Sequence, residues 1–367
     1  MYVPPRVLTN DDLAQRVETS HAWIVERTGI ERRHIADRET SATMAIEAAR
    51  AALQAADADP RDVDLIIVAT TTPDYLMPST ACLVQDALGA IRAGAVDLNA
   101  GCSGFVYALA MANQAIASGE HRLVLVIGVE TLSRVIDWQD RSTCILFGDG
   151  AGAVLLRAAE GRAGILASLL GADGSGADLL IIPAGGSAQP PSRETVEGRL
   201  HYLRMNGREV FRFATRVVPR AIEQVAQKAG LKVRDIDLII AHQANLRILE
   251  AVAKRLDLPM ERFVVNLQEY GNTSAASVPI ALCEAVQNGR IQPGQHLVLV
   301  GFGAGLTWAA VALRWSEAPI RLAVPHFHNL LRAILYRWAA WRTRLRQLLR
   351  RLAVEGIRRA ERRRKSS

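Results

Sequence analysis

The amino-acid sequence predicts an α/β fold made of two similar halves, because two of its segments recur at nearly one spacing. RDVDLIIVATTTPD (61–74) returns as RDIDLIIAHQANLR (234–247), an offset of 173 residues. GEHRLVLVIGVE (119–130) returns as GQHLVLVGFGAG (294–305) at almost the same offset. Two recurrences at one spacing indicate a duplicated structural unit.

Each repeated unit begins with helical composition and continues into an apolar strand. Residues 42–57 lead into DLIIVAT, and residues 214–230 lead into DLIIAHQ. Continuous apolar strands joined by helices predict parallel sheets that are covered on both faces. We therefore expect an N-terminal half over residues 1–165 and a C-terminal half over residues 166–316, packed against each other.

One cysteine is predicted to lie at the centre of the molecule. GAVDLNAG (94–101) is strand-like, and residues 102–118 are helix-like and followed by Gly119, a residue type that commonly ends helices. Cys102 would lie at the amino end of this helix, where the helix dipole favours a thiolate, although a lone cysteine is more often a small packing residue. The helix is predicted to be buried because it is apolar nearly all round, through Phe105, Val106, Tyr107, Leu109 and Met111.

The second half offers polar residues at the matching places. Residues 266–282 are expected to form a strand, a small-residue turn and a helix, with Asn272 at the position of Cys102. His242 follows the other repeated strand, where the first half has Ala69. Ligands in open α/β sheets bind at the C-terminal ends of strands, so these polar residues are predicted to meet there. Taken singly, His242 is more often a core or surface histidine, and Asn272 a turn residue.

Composition excludes several classes of protein. Of the 367 residues, 50% are hydrophobic and 22% are charged, which is typical of a folded globular chain. Neither an export signal nor an uncharged membrane-spanning run is evident, so we expect a cytoplasmic protein. The four cysteines lack the spacing of metal ligands, which argues against a zinc site or a disulfide scaffold. Apart from Cys102, they are predicted to be packing residues: Cys82, Cys144 and Cys283. Asp149 in FGDGAGAV lacks the spacing of a phosphate loop or an EF-hand, so a structural role is expected.

The net charge of +7 belongs to the C-terminal extension, residues 317–367. This extension has 14 Lys and Arg against 3 Asp and Glu, a charge of +11, which leaves −4 on the first 316 residues. A mildly acidic body gives no support to nucleic-acid binding.

Five motifs in order resemble β-ketoacyl-[acyl-carrier-protein] synthase III, a condensing enzyme of the thiolase superfamily. They are NAGCSGF, RSTCILFGDGAGAVLL, AHQANLRI, YGNTSAASVPIAL and GFGAGLTW, and the resemblance runs from about Tyr2 to Trp315. It implies a thiolase-like fold in αβαβα layers, a homodimer, and an acyltransferase of fatty-acid biosynthesis without a metal or cofactor. The substrates implied are an acyl-CoA primer, acetyl-CoA by expectation, and malonyl-acyl-carrier protein.

The resemblance also implies a Cys-His-Asn triad formed by Cys102, His242 and Asn272. Cys102 would take the acyl group from CoA, and the other two would stabilise the enolate formed when the malonyl group loses CO₂. The backbone N–H groups of Cys102 and Ala304 would hold the acyl carbonyl oxygen. Alanine at position 304 departs from the more common glycine, and is tolerated unless its φ must be positive.

Substrate contacts are implied by the same resemblance. Trp23, Arg27 and Arg141 match the residues that bind the CoA adenine and phosphates, although Trp23 and Arg27 alone also fit an exposed cation–π pair. The remaining contacts are the pantetheine residues Gly207 and Asn245, the carrier-docking residue Arg247, and Met77 in the primer pocket, which reaches across a dimer interface. Arg208 replaces a common asparagine, which removes one expected pantetheine hydrogen bond.

Three other functions are alternatives to that of a synthase III. A degradative thiolase needs a second cysteine in the C-terminal glycine-rich motif, and GFGAG has none. A related enzyme of polyketide or other secondary metabolism would use the same triad with a longer primer. An inactive carrier-protein-binding homologue would lack an intact triad.

The two ends of the chain depart from the family pattern. Family members carry about ten further residues, which form a central strand, before the segment that matches MYVPPRVLTNDDLAQ. Either the true start lies upstream of Met1 or the N-terminal half lacks this first strand, and we favour the upstream start.

At the other end, residues 327–352 predict a basic amphipathic helix. Two readings stay open: peripheral binding to an anionic membrane at the inner face, or docking of the apolar stripe on the enzyme body or a partner. The stripe covers an arc of about 140° at about 100° per residue, and consists of Phe327, Leu330, Leu331, Ile334, Leu335, Trp338, Trp341, Leu345, Leu348, Leu349 and Leu352. The arginines outside it are Arg332, Arg337, Arg344, Arg346, Arg350 and Arg351.

Overall fold

The computed structural model describes residues 1–158 and 163–315, together with residues 334, 336–339, 341–343, 345–346, 348–349 and 352. Its strands are β1 (Val7–Thr9), β2 (Arg32–His34), β3 (Leu65–Ala69), β4 (Gly94–Leu98), β5 (Leu123–Glu130), β6 (Gly150–Arg157), β7 (Gly164–Ala172), β8 (Leu180–Ile181), β9 (Arg204–Met205), β10 (Leu238–Ala241), β11 (His296–Gly303) and β12 (Thr307–Arg314).

The α-helices of the described residues up to 315 are α1 (Asn10–Ala14), α2 (His21–Thr28), α3 (Ser41–Ala55), α4 (Thr80–Leu88), α5 (Gly104–Ala117), α6 (Arg141–Cys144), α7 (Arg193–Glu197), α8 (Gly207–Lys228), α9 (Leu246–Leu256), α10 (Leu267–Tyr270) and α11 (Ser277–Gln287). In the C-terminal extension the described residues from 334 to 352 are also helical.

Two four-stranded sheets organise the molecule, in the orders β4-β3-β5-β6 and β10-β11-β12-β7. The repeated strands β3 and β5 pair in parallel, as do β10 and β11. The expected parallel sheets are in fact mixed, since β6 runs antiparallel to β5, and β12 runs antiparallel to β11 and β7. For β12 the physical reason is the short connection: only residues 304–306 join it to β11, and a parallel crossover needs a dozen residues or more.

The helices cover these sheets in five layers, α, β, α, β, α. On the outside of the first sheet, α3 and α4 pack on Ile66 and Val68 of β3. In the middle, α5 and α11 pack between the sheets, against Ile67 and Ala69 of β3 and against β10 and β11. On the outside of the second sheet lie α8 and α9. Successive side chains of β3 point to opposite faces of the sheet, so this strand contributes residues to two separate cores.

Three details of the predicted central elements are corrected. Residues 267–270 form the short helix α10 rather than a strand, and the strand-like pairing before it is reduced to one bridge between Ile239 and Phe263. The helix after Cys102 begins at Gly104, and Gly119 follows it with φ 82°, as predicted for its end. Met111 is 45% exposed, whereas its neighbours Ala110 and Ala112 are fully buried, so the helix has one open side.

At the edge of the first sheet, Tyr2 bridges the backbone of Ala151 in β6 through two hydrogen bonds of 2.8 Å. In the second sheet, the matching edge of β12 is paired along its whole length with β7.

Candidate active site

Cys102 lies in the turn that joins β4 to the central helix α5 and is 7% exposed. The turn is tied to the second half of the chain through Thr307, whose hydroxyl donates to the carbonyl of Ala100 at 2.8 Å. Ser103, which precedes the helix, donates to the Thr307 hydroxyl at 2.8 Å. The cysteine is therefore held between the two sheets at the start of a buried helix.

Burial dominates the ionisation of this thiol and raises the pKa of Cys102 to about 11. The Ser274 hydroxyl and the backbone N–H groups of Ala304 and Cys102 act in the opposite direction, since they stabilise the thiolate. The predicted thiolate is thus wrong: removing the sulfur from water outweighs the helix terminus. The two N–H groups lie within hydrogen-bonding reach of the sulfur.

Glycine is required opposite the thiol. A Cβ atom at Gly303 would lie 2.7 Å from Cβ and 2.9 Å from Sγ of Cys102, both closer than nonbonded atoms approach. The next residue, Ala304, is absent from the non-glycine residues with positive φ, so alanine is compatible with its backbone there. A tight strand end therefore carries the predicted N–H group to the sulfur.

His242 follows β10 and is buried, with its ring edge-on to Phe302 at a centroid distance of 5.0 Å. Its Nδ1 lies 2.6 Å from Oγ of Ser277, the first residue of α11. The backbone N–H of Gln243 donates to the same Oγ at 3.4 Å. Donation of the hydroxyl proton to Nδ1 would place the proton of the neutral ring on Nε2. Burial lowers the pKa of His242 to about 3, so the ring is neutral at physiological pH.

Asn272 lies in the turn before α11 and is also buried. Its backbone is fixed by Leu146 and Gly148, at 2.8 and 3.0 Å. Its side-chain Oδ1 accepts from the N–H of Ser274 at 2.9 Å. The amide is thereby oriented so that Nδ2 is the group available to donate. Within the described residues, Nδ2 makes no hydrogen bond.

Ser274 and Glu130 complete the surroundings of the thiol, and the sequence analysis missed both. Ser274 donates to Glu130 at 3.1 Å and adopts φ 48°, an unusual conformation for a residue with a side chain. Glu130 is fully buried at the end of β5 and also accepts from the hydroxyls of Thr70, Thr71 and Thr72. Burial raises the pKa of Glu130. A single acidic residue closing an apolar strand was the available sequence signal.

The three predicted CoA residues lie together. The guanidinium groups of Arg27 and Arg141 lie 5.3 and 5.0 Å from the ring centroid of Trp23. Arg141 also donates to the carbonyl of Glu18 at 2.9 Å. Both the cation–π interpretation and the predicted CoA site fit this cluster, because two cations beside an aromatic face suit an adenine nucleotide with phosphates.

The remaining predicted contacts lie at helix starts. Gly207 begins α8, and Arg208 beside it is exposed. Asn245 caps α9: its Oδ1 accepts from the N–H of Arg247 at 2.9 Å, and its Nδ2 donates to the carbonyl of Arg27 at 3.0 Å. Asn245 thus has a structural role that ties α9 to α2. Arg247 is exposed in the first turn of α9, free to meet an acidic carrier protein.

Met77 is 87% exposed and belongs to a projecting apolar loop with Tyr75 and Leu76. Its predicted role in the primer pocket depends on a second subunit.

The other three cysteines differ in their exposure to solvent. Cys82 is exposed, which corrects its predicted packing role, because α4 presents that residue outward. Cys144 is buried and Cys283 half-buried.

Asp149 is structural, as expected: it accepts from the N–H groups of Ala36 and Ser133 at 2.7 and 2.9 Å. Among the described residues, no group of three or more His, Cys, Asp or Glu is placed to hold a metal ion.

Two family models match the chain. The model for 3-oxoacyl-[acyl-carrier-protein] synthase III matches residues 96–174, and the model for the C-terminal region of the same family matches residues 226–315. The first contains Cys102, and the second contains His242 and Asn272.

Curated relatives and solved structures agree with these matches. The chain is 56% identical over 319 residues to a β-ketoacyl-[acyl-carrier-protein] synthase III of Symbiobacterium thermophilum, covering 86% of this chain and 96% of the relative. It is similar to the crystal structure of 3-oxoacyl-[acyl-carrier-protein] synthase III from Aquifex aeolicus, with 48% identity, TM-score 0.80 and coverage of 86% and 97%. A priming β-ketosynthase of the R1128 polyketide pathway is 38% identical, with TM-score 0.80 and coverage of 87% and 95%.

Proposed function

The chain belongs to the β-ketoacyl-[acyl-carrier-protein] synthase III family, and on that premise we propose that Cys102, His242 and Asn272 carry out its reaction. The enzyme is a thiolase-like acyltransferase of fatty-acid biosynthesis. It condenses an acyl-CoA primer with malonyl-acyl-carrier protein to give 3-oxoacyl-acyl-carrier protein, CoA and CO₂. We infer acetyl-CoA as the primer, and the division into halves 1–165 and 166–316.

The first half-reaction is acyl transfer to Cys102. The sulfur attacks the thioester carbonyl, the bond from that carbon to the CoA sulfur breaks, and the thiol proton ends on CoA. The negative charge that forms on the carbonyl oxygen is held by the N–H groups of Cys102 and Ala304, which already lie beside the sulfur. A thiol with a raised pKa is protonated before attack, so the ionisation belongs to the reaction step rather than to the resting enzyme.

The second half-reaction needs two hydrogen-bond donors, and the site supplies them. Loss of CO₂ from the malonyl group leaves an enolate, whose oxygen accepts from Nε2 of His242 and Nδ2 of Asn272. One observation carries this assignment: Oδ1 of Asn272 is engaged by the N–H of Ser274, and Nδ1 of His242 by the hydroxyl of Ser277. With Ser277 as the donor to Nδ1, each residue presents a donor to the enolate, and a neutral histidine can donate without a charge. The enolate carbon then attacks the acyl carbonyl, the bond from that carbon to the Cys102 sulfur breaks, and the released thiolate takes up a proton from water.

An assay with labelled primer tests this function. Incubation with radioactive acetyl-CoA should label Cys102 and release CoA in the absence of malonyl-acyl-carrier protein. Addition of that second substrate should discharge the label into 3-oxoacyl-acyl-carrier protein. Labelling without discharge would instead support an inactive or carrier-binding homologue.

A longer primer is the second candidate, favoured by the similarity to the polyketide priming ketosynthase. A panel of acyl-CoA substrates of increasing length and branching, assayed with malonyl-acyl-carrier protein, separates the two. Acetyl-CoA should give the highest kcat/KM if fatty-acid initiation is the role.

We propose a homodimer that forms along β4. This strand is the free edge of the first sheet, and its Val96 is 46% exposed. The neighbouring loop exposes Leu76 and Met77 at 91% and 87%, which is unusual for apolar side chains in a monomer. Pairing of two β4 edges would cover this surface and carry Met77 to the primer pocket of the partner. Analytical ultracentrifugation should show a dimer that Val96→Lys weakens.

We also propose that the protein resides in the cytoplasm and that residues 327–352 associate with the inner face of the membrane. None of the described helices is long and apolar enough to span a bilayer. The basic charge of residues 317–367 supports attraction to anionic lipid.

A further inference from the structure

The C-terminal helix is docked on the enzyme body by a face other than its apolar stripe. Ala339 is only 2% exposed and its Cβ lies 3.5 Å from the position that a Cβ atom of Gly89 would occupy. Tyr336 packs with the core formed by α3 and α4. The absence of a side chain at Gly89, just beyond α4, gives the helix a place to approach closely.

Polar contacts fix the same face. Asp86 of α4 accepts from the hydroxyl of Thr343 at 2.5 Å and lies 3.7 Å from the guanidinium of Arg342. Arg50 of α3 lies 4.6 Å from the ring centroid of Tyr336. Residues 336, 339 and 343 are spaced by three and four positions, so they share one side of the helix. We call Tyr336, Ala339, Arg342 and Thr343 the docked face.

The opposite side of the helix carries the apolar stripe, and the described part of the stripe is exposed. At about 100° per residue, its centre lies roughly 150° from the centre of the docked face. The exposed fractions run from 38% for Leu345 to 59% for Trp341, over Ile334, Trp338, Trp341, Leu345, Leu348, Leu349 and Leu352. The reading in which this stripe docks on the body of its own chain is therefore wrong for these residues. Phe327, Leu330, Leu331 and Leu335 lie outside the described residues.

Charge identifies what covers the stripe. Arg337 and Arg346 are exposed on the same helix, in an extension whose net charge is +11. Two copies of so basic a segment repel each other, which disfavours self-association through the stripe. An anionic lipid surface attracts it, accepts the leucines into the acyl region, and suits tryptophan at the boundary with water.

We propose that the C-terminal helix binds an anionic membrane through its outward Trp and Leu stripe while its docked face stays on α3 and α4. The inference rests on the membrane association proposed above and adds a fixed geometry to it. The helix then stays packed on the enzyme body while it binds lipid, instead of acting as a flexible tether. It thereby holds the enzyme body in one orientation toward the lipid surface.

An intramolecular disulfide tests whether docking and lipid binding coexist. Gly89→Cys with Ala339→Cys brings two Cβ atoms to 3.5 Å, within the range of a disulfide. Because Gly89 has φ 71°, a second pair is Asp86→Cys with Thr343→Cys, whose native side chains are in contact at 2.5 Å and whose backbones have no positive φ. Both pairs are made in the full chain with Cys82→Ser, which removes the exposed native thiol.

The oxidised and reduced proteins are sedimented with vesicles of phosphatidylglycerol and phosphatidylcholine. We expect the disulfide to form readily, and the oxidised protein to bind anionic vesicles within about twofold of the reduced protein, in a manner that 1 M salt weakens. Trp341→Ala with Leu345→Ala should reduce vesicle binding at least tenfold, whereas the matched docked-face change Thr343→Ser should leave it unchanged.

Each alternative outcome is distinct. Vesicle binding without disulfide formation in either pair would overturn the docked geometry and leave the membrane association intact. Binding by the reduced protein alone would show that docking and lipid binding exclude each other, and would also overturn the proposal. No binding at low salt in any form would refute the membrane association itself. Lipid-independent assembly beyond a dimer, lost in the stripe variant, would identify a second copy as the occupant.

Discussion

The hydroxyl of Ser277 lies 2.6 Å from Nδ1 of His242, within hydrogen-bonding distance of the ring. The same hydroxyl also accepts from the backbone N–H of Gln243, at the longer distance of 3.4 Å. Ser277 touches no reacting atom in the proposed mechanism, so it is a positioning residue. This makes it separable from the triad by experiment.

Ser277→Ala should impair decarboxylation much more than acylation. Without the hydroxyl, the imidazole loses its preference for a proton on Nε2, and about 10-fold to 100-fold of kcat should be lost. KM for malonyl-acyl-carrier protein should change little. The rate of labelling by acetyl-CoA serves as the control, and an equal loss in both half-reactions would point to a structural defect instead.

The triad assignment predicts a split between its members. Cys102→Ala should abolish both labelling and condensation. His242→Ala and Asn272→Ala should retain some labelling and lose about 100-fold to 1,000-fold of decarboxylation, because each removes one oxyanion donor. Cys82→Ser, at an exposed site, is the matched control for loss of a thiol. Turnover by Cys102→Ala would end this mechanism.

The raised pKa of Cys102 predicts an alkaline profile for alkylation. With a pKa of about 11, the thiolate fraction and the rate with iodoacetamide should rise about tenfold per pH unit from pH 7 to 9.5. A plateau near pH 7 would contradict the effect of burial. The measurement is the second-order rate constant by mass spectrometry of the Cys102 peptide.

The lowered pKa of His242 predicts the acidic behaviour. Its ring stays neutral down to pH 5, so decarboxylation should show no loss with an apparent pKa near 6.5 that belongs to this residue. In the unfolded chain the same histidine takes up a proton below about pH 6.5. The free energy of unfolding should therefore fall as the pH drops from 6.5 toward the folded value, and less so in His242→Ala.

Gly303→Ala should inactivate the enzyme through a steric conflict. The added methyl group would lie 2.9 Å from Sγ of Cys102 and 2.8 Å from its backbone nitrogen, so the thiol or the strand end must move. Labelling by acetyl-CoA should fall at least 100-fold. Gly174→Ala is the matched control, because a Cβ atom there meets no atom within 4 Å. Near-normal labelling of Gly303→Ala would show that the site tolerates this shift.

Removal of residues 320–367 should leave condensation intact and abolish sedimentation with anionic vesicles. The truncation uncovers Gly89 and the edges of α3 and α4, which Ala339 and Tyr336 cover. The free energy of unfolding should fall by about 1 to 3 kcal/mol, the value of burying one apolar side chain. Loss of turnover at unchanged folding would assign the helix a role in the reaction.

The duplicated pattern explains why the places of Cys102 and Asn272 in the fold could be predicted. Cys102 precedes α5 and Asn272 precedes α11, and these central helices are equivalent in the two halves. The contacts that orient them could not be predicted. Ser277 reaches His242 across 35 positions and Ser274 reaches Glu130 across 144, and such pairs depend on how whole layers pack. Motif-based reasoning about neighbours in the chain does not contain that information.

The failures at Cys102 and in the C-terminal helix have a common physical origin. Local sequence predicted a thiolate from the helix terminus, but desolvation is a property of the complete tertiary structure. The periodicity of the sequence also predicted which side of the C-terminal helix is apolar. The side that contacts the enzyme body, however, is the one that fits the space at Gly89. In both cases the deciding partner lies far away along the chain.

The equivalence of α5 and α11 has a consequence for which substitutions affect each half-reaction. In the proposed mechanism the nucleophile comes from one copy of the duplicated unit, while His242 and Asn272 both come from the other. Acyl capture nevertheless draws on both copies, because Ala304 of the second copy supplies one of the two N–H groups at the sulfur. We therefore expect the selectivity for the primer to depend on both copies, and the rate of decarboxylation to depend chiefly on the second.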